Sequence, residues 1–319
     1  MIKILHKLVQ SRLRKSSKEV FDAISNLLAG DNITLVDIGA ADGLASRWEK
    51  VSSLLHYIGF EPDERSNTEL SNNRFSKIEV YRQAVWEHHE TLKINLTKKP
   101  QNSSYYFPNR SLIDLFPDSG RFNIEGSIEL QAIKLDDLSL KSCDFIKIDI
   151  QGGELSVLKG ARQLLKKNMG LEIEVEFVSI YSKQPLFGEI VEFLQSHNYI
   201  FLDFVNLYRW ERDAHSGYGQ CVFGDALFLK MPEAIFKSEN CDASAISKYL
   251  SICLLYYRFD LIDTFIALLP SSQVERLSSF LNAIKPIRKK HFRVRWLNNF
   301  STRLMRLVGG MDYNSHILY

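Results

Sequence analysis

The chain has 319 residues, 45% of them hydrophobic and 24% charged, with 40 Lys and Arg against 38 Asp and Glu. That length holds one large core plus a smaller one, and the composition excludes a disordered, collagen-like or disulfide-rich polypeptide. The net charge of +2 conceals a segregation. Residues 1–18 carry six cations and no acid, residues 281–319 carry eight cations and Asp312, and the 26 bases and 37 acids left between them give a net of −11.

Residues 1–30 read as a basic helical segment with Ile2, Leu5 and Leu8 among its cations. Lys7 interrupts the first apolar run too early for a secretory signal. From Asn32 to about Lys230, strand-like and helix-like patterns alternate, which predicts an α/β fold with a doubly wound, mostly parallel sheet. The first strand, Leu35-Val36-Asp37-Ile38, breaks into the turn Gly39-Ala40-Ala41-Asp42-Gly43. Its glycines let the backbone approach a ligand closely, as in a dinucleotide fingerprint. Asp37 and Asp42, however, repel phosphates and disfavour a dehydrogenase. They favour a ligand with ammonium and sulfonium groups, a description that S-adenosylmethionine meets. The alternative is a plain strand-to-helix turn.

A second apolar run, Leu55 to Phe60, ends in Glu61-Pro62, with Glu61 placed at a strand tip to accept hydrogen bonds from ribose hydroxyls. Its alternative is a solvated loop glutamate. A third strand runs from Phe145 to Ile150 and turns at Gly152-Gly153 into an amphipathic helix, Leu155 to Lys167. Lys147 and Asp149 are charges inside this apolar strand, either paired structurally or functional. Asp149 and Glu154 fall at the carboxyl end, where doubly wound sheets bind ligands. From Leu171 to Phe177, Glu172, Glu174 and Glu176 alternate with apolar residues and so share one strand face. That face is either solvated or part of an active site; in a covered parallel sheet the second reading gains weight.

These blocks together resemble the FkbM family of S-adenosylmethionine-dependent methyltransferases. The resemblance is carried by Val36 to Gly43, Phe60-Glu61-Pro62, Leu135-Asp136-Asp137-Leu138, Asp144 to Glu154 and Leu158-Lys159-Gly160-Ala161, and it spans about residues 30 to 230. One departure is Asp42, where the family more often has asparagine, which makes the loop more acidic. The resemblance implies a class I methyltransferase fold and O-methylation of a hydroxyl, often on a sugar or natural product. It also implies that Asp37, Gly39, Ala41, Asp42 and Gly43 line the cofactor turn, that Glu61 holds the ribose, and that Ala84 and Val85 flank the adenine. Simple packing would explain Ala84 and Val85 equally well. Tyr181 lies in a stretch similar to a family segment over the substrate cleft.

A sugar hydroxyl is a weak nucleophile, so Asp149, Glu154 or Glu176 is expected as general base, Asp149 first, with Glu174 and Tyr181 as substrate contacts. The expected acceptor is a sugar or glycan hydroxyl; a small natural product or lipid-linked intermediate is the rival, as is a non-catalytic module that keeps the fold. Asn102 to Gly126 reads as an insertion near the substrate mouth.

The expected domains are therefore 1–30, 31–231 and 232–319. In the last, Ala243 to Leu269 and Val274 to Ile284 are helical in period and Pro270-Ser271-Ser272 separates them. Cys143, Cys221, Cys241 and Cys253 lack zinc or dithiol spacing, and His88-His89 cannot easily share a metal, so none is expected. Arg258, Asp260 and Asp263 break the longest apolar stretch. A cytoplasmic protein is expected. Its basic ends, which also carry Ile2, Leu5 and Leu8, then Phe292, Trp296, Phe300 and Leu304, either contact an anionic membrane surface or dock on the acidic middle; no recognised module suggests nucleic acid.

Overall fold

The computed structural model describes residues 18–63, 65, 74–138, 140, 142–212, 219–239 and 241–307, apart from the side chains of residues 42, 295 and 297–307. Ile2, Leu5, Leu8 and the side chains of Asp42, Phe300 and Leu304 thus lie outside the described residues. The chain forms two compact units, one of residues 33–45 and 55–231, the other of the remainder.

The larger unit is built on seven strands: β1 (Ile33–Ile38), β2 (Leu55–Phe60), β3 (Lys77–Tyr81), β7 (Phe145–Ile148), β8 (Gly170–Glu176), β9 (Tyr199–Trp210) and β10 (Gln220–Lys230). They lie in the order β3-β2-β1-β7-β8-β10-β9, all parallel except β10. A smaller sheet of β4 (Ala84–Val85), β6 (Ile124–Ile133) and β5 (Thr91–Thr97), in that spatial order, follows β3 in the chain. The doubly wound, mostly parallel α/β architecture read from the sequence is the one observed.

Period-two alternation sorts the central strands into two faces. Val36, Ile38, Ile58, Phe60, Ile146, Ile148, Leu171, Ile173, Val175, Ala226 and Phe228 join one apolar cluster with Val157 and Leu158 of the helix Glu154–Lys159 and Ile190 and Leu194 of the helix Phe187–Gln195. On the other face, apolar side chains such as Leu35, Tyr57 and Phe145 give way to polar ones toward the strand tips. Across it, Asp37 pairs in register with Lys147, and Lys147 with Glu172; one step further, Glu174 pairs with Asp225 and Asp225 with Asn206. Glu172, Glu174 and Glu176 are all buried, which rules out a solvated strand face.

The expected helix from Leu155 to Lys167 is two helices, Glu154–Lys159 and Arg162–Lys167. At Gly160 the chain passes under the Trp86 backbone, where a Cβ would lie 2.2 Å from the Trp86 carbonyl oxygen. The Asp136 carboxylate then restarts the helix by accepting the N–H groups of Gln163 and Leu164 at 2.9 to 3.0 Å. The Leu135-Asp136-Asp137-Leu138 block therefore has a structural use.

The second unit is helical. Trp48 in Ser46–Glu49 donates its indole N–H to the Tyr256 hydroxyl at 3.2 Å, which explains why residues 46–54 group with this unit and not with the sheet. The helix expected over 243–269 is two, Ala243–Leu255 and Phe259–Leu268. The break falls at Tyr257, which takes a left-handed φ of 54°, while the Arg258 N–H returns to the Cys253 carbonyl. Beyond the short helix Ser271–Arg276, Ser278–Leu307 continues past Ile284 and through Pro286 for 30 residues. Among the described residues no helix is long and apolar enough to cross a membrane.

Candidate active site at the tips of the parallel strands

The tips of β1, β2 and β7 meet at Gly39. Its N–H donates to the Phe60 carbonyl at 2.9 Å, and the Asp149 N–H donates to the Ile38 carbonyl at 2.9 Å. Gly39 has φ 86°, and a Cβ there would fall 1.8 Å from the Asp149 backbone oxygen. Only glycine fits, because the contact leaves no room for a side chain and the left-handed conformation disfavours one. Gly43, φ 76°, closes the turn around Ala40–Asp42, with Ala41 inside it.

Three expected acids converge on this junction. Asp37 is fully buried: Oδ2 accepts the Tyr57 hydroxyl at 2.8 Å, and Oδ1 lies 3.6 Å from Lys147 Nζ without a hydrogen-bond partner. Burial pushes its carboxyl above the usual range, opposed by Lys147 and the Tyr57 bond. Glu61, 5% exposed, follows β2 and accepts the Asp63 N–H at 2.8 Å. Burial raises its carboxyl to about 7. Asp149 keeps 30% of its side chain exposed and lies 3.8 Å from Lys147.

Lys147 binds this group together. Burial favours its neutral form, but Asp37 and then Asp149 outweigh that and hold the ammonium charged. The sequence shows the Lys147–Asp149 pair; the Asp37 partner comes from strand register, which the sequence does not display.

The next row is held by Gln151. Its Nε2 donates to Asp149 Oδ1 at 3.1 Å and to Glu174 Oε1 at 2.7 Å, while its Oε1 accepts the Tyr181 hydroxyl at 2.9 Å. Gln151 sits at φ 61°, a conformation that aims this side chain back over the strand tip. Sequence reading missed it, and its only signal is its place between Asp149 and the glycine pair. Glu174 and Glu176 are pushed well above the usual carboxylate range by burial, with Asp149 adding to the first and Glu154 to the second. Asp225 is raised by burial to about 6.

Four expected residues have other tasks here. Glu154 Oε1 accepts the Ile150 and Gly152 N–H groups at 3.0 and 3.1 Å, so this carboxylate holds the turn; burial raises it to about 7. Tyr181 is 1% exposed, with its hydroxyl shared between Gln151 and the Asn102 carbonyl at 2.9 Å. It braces Gln151 and offers no face to a substrate. Ala84 and Val85 are buried by packing, Ala84 against Trp86, Leu92 and Ala132, and Val85 in the central cluster.

The insertion between β5 and β6 is stitched to the same loops. Ser104 Oγ donates to the Gln151 carbonyl at 2.7 Å, Asn109 N to the Ile180 carbonyl at 2.7 Å, and Ser182 N to the Phe107 carbonyl at 2.8 Å. These bonds leave Tyr105 and Phe107 exposed, at 40% and 63%. The arrangement is a glycine cradle ringed by acceptors, with the Lys147 ammonium among them and Arg82 donating to the Glu61 carbonyl at 3.3 Å, suited chemically to a cationic ligand that carries hydroxyls.

Comparison with known proteins supplies an independent line. The Methyltransferase FkbM domain matches residues 37–201, which is more than half of the chain. The 2-O-methyltransferase NoeI of Sinorhizobium fredii is 23% identical over 207 residues, covering 59% of this chain and 85% of that protein. An FkbM methyltransferase structure from Methylobacillus flagellatus aligns at 20% identity with a TM-score of 0.37, covering 62% of this chain and 44% of that one. The magnesium protoporphyrin IX methyltransferase of Synechocystis, solved with bound SAM, aligns at 10% identity and TM-score 0.32, covering 70% and 83%. The matched family profile begins at the buried Asp37 and takes in the whole acidic junction, and the chain belongs to the FkbM methyltransferase family.

Proposed function

We propose that this protein transfers a methyl group from S-adenosylmethionine to a hydroxyl of a sugar or glycan. The observation that carries the reading is the gathering of Asp37, Glu61 and Asp149 around a glycine that tolerates no side chain. The donor set fits S-adenosylmethionine: Gly39 and Gly43 give backbone access, Glu61 is the ribose acceptor, and the acidic junction favours the ammonium and sulfonium charges. When bound, that cofactor supplies an electrophilic methyl group.

The residues of this chain then hold the acceptor and take its proton. Asp149 is the general base, because its carboxylate is more exposed than that of Glu174 and is held at one oxygen by Gln151. As the acceptor oxygen gains the methyl group, its proton passes to Asp149. Positioning supplies several kcal/mol, and the base contributes about 10²–10⁴-fold. Exposed rings at Tyr105 and Phe107 suit the apolar face of a sugar, and the name of the NoeI relative supports oxygen as the methylated atom.

The test combines labelled S-adenosylmethionine with glycan fractions, using the parent protein and Asp149→Asn, with donor binding measured in parallel. Label on a glycan hydroxyl, lost in Asp149→Asn while donor binding persists, is the expected result. Unchanged turnover in the variant removes Asp149 from the role, and absence of donor binding by the parent refutes the whole reading.

A further inference from the structure

We propose that the exposed stripe from Lys285 to Trp296 on the helix Ser278–Leu307 is a docking surface for an anionic phospholipid bilayer. The inference stands apart from the methyl-transfer reading and rests on how this helix divides its side chains. Ile284, Ile287 and Val294 are buried, at 4%, 1% and 8% exposure. On the same side the His291 ring stacks on Tyr257 at 4.7 Å, Arg288 pairs with Asp263 and lies over the Phe259 ring, and Lys290 pairs with Glu19 at 3.2 Å. These contacts fix which way the helix faces within its unit.

Lys285, Lys289, Phe292, Arg293 and Trp296 are all exposed, with Phe292 at 53% and Trp296 at 64%; the Phe292 ring also lies 6.5 Å from that of Phe259 at the edge of this side. At about 100° per residue the five fall within a sector of roughly 100°, diametrically opposite the buried set. Three cations and two large rings thus share one stripe. The whole helix contains no Asp or Glu to neutralise it.

This combination selects the partner. A purely phosphate-bearing polyanion needs the cations alone, whereas an anionic bilayer presents headgroup charge to the Lys and Arg and an acyl boundary to the rings. Phe292 and Trp296, one turn apart, are the pair that would enter that boundary. Charge complementarity comes from three exposed cations with no acid on their own helix.

The experiment is flotation of the full-length protein with vesicles of phosphatidylcholine alone and of phosphatidylcholine with about a third phosphatidylglycerol, at low and high salt. The expected result is binding to the anionic vesicles only, weakened by salt. Lys289→Gln with Arg293→Gln lowers that binding roughly thirtyfold, about fivefold for each cation. Phe292→Ala with Trp296→Ala lowers it at least roughly tenfold. Melting curves check that both variants stay folded, and S-adenosylmethionine binding tests the catalytic reading separately. Failure to bind anionic vesicles, or binding of either variant as tight as the parent's, overturns the proposal. Tighter binding to single-stranded RNA than to the vesicles, lost in the same variants, also overturns it.

Discussion

Replacing Lys147 with methionine removes the cation that organises the acidic junction while keeping the length of the side chain. Lys147 Nζ lies 3.6 Å from Asp37 Oδ1 and 3.8 Å from Asp149 Oδ2. At an effective dielectric of about 20, each attraction is worth ~4 kcal/mol before the cost of desolvation. Without it the fully buried Asp37 keeps only the Tyr57 hydroxyl. One-sided removal from a buried pair costs about 3–5 kcal/mol, which is roughly 6–20 °C of melting temperature for a unit of this size. Part of that loss is recovered by protonating Asp37, whose carboxyl burial already pushes upward. The deficit is therefore larger at about pH 8 than at about pH 5. Thermal unfolding of Lys147→Met followed by circular dichroism at both pH values measures it. A melting point within about 1 °C of the parent at the higher pH, or an equal loss at both, refutes the reasoning.

Gly39→Ala forces a Cβ against the Asp149 carbonyl oxygen at φ 86°. The expected cost is on the order of 3 kcal/mol or more, visible as a lowered denaturant midpoint together with lost donor binding. Gln151→Leu deletes the donors to Asp149 and Glu174 and the acceptor of Tyr181. A melting-temperature series should show a loss of about 1–3 kcal/mol, with a larger effect on turnover than on donor binding. The pH dependence has a definite sign. Burial raises Glu61 and Glu154 to about 7 and Asp225 to about 6, so the folded state holds these protons more tightly than the unfolded chain does. Their stabilisation is complete below about pH 4 and is lost as pH climbs to 7; Glu154→Gln, compared with the parent across pH 5 to 8, flattens that decline.

Much of this arrangement is legible in the residues themselves. Apolar runs that break into glycine turns place the tips of β1, β2 and β7, because strand burial and left-handed turns each demand particular side chains. The three alternating glutamates of β8 announce a shared face, although only the sheet's order shows that this face is covered. Register was out of reach: nothing local pairs Asp37 with Lys147, or Glu174 with Asp225, since those partners are 110 and 51 residues apart in the chain. The division of labour among the acids was equally hidden. Glu154 reads as a carboxylate at a strand end, and only the fold shows it spent on the Ile150 and Gly152 N–H groups. Gln151 was missed because an amide between an aspartate and two glycines carries no signature until its backbone turns left-handed.

Calorimetric titration of S-adenosylmethionine into the full chain and into Glu61→Gln tests the central claim most directly. Saturable binding by the parent, weakened by roughly tenfold or more when an amide replaces the ribose-accepting carboxyl, is the predicted result. No binding by the parent, or equal affinity in the variant, contradicts the account of the acidic strand tips.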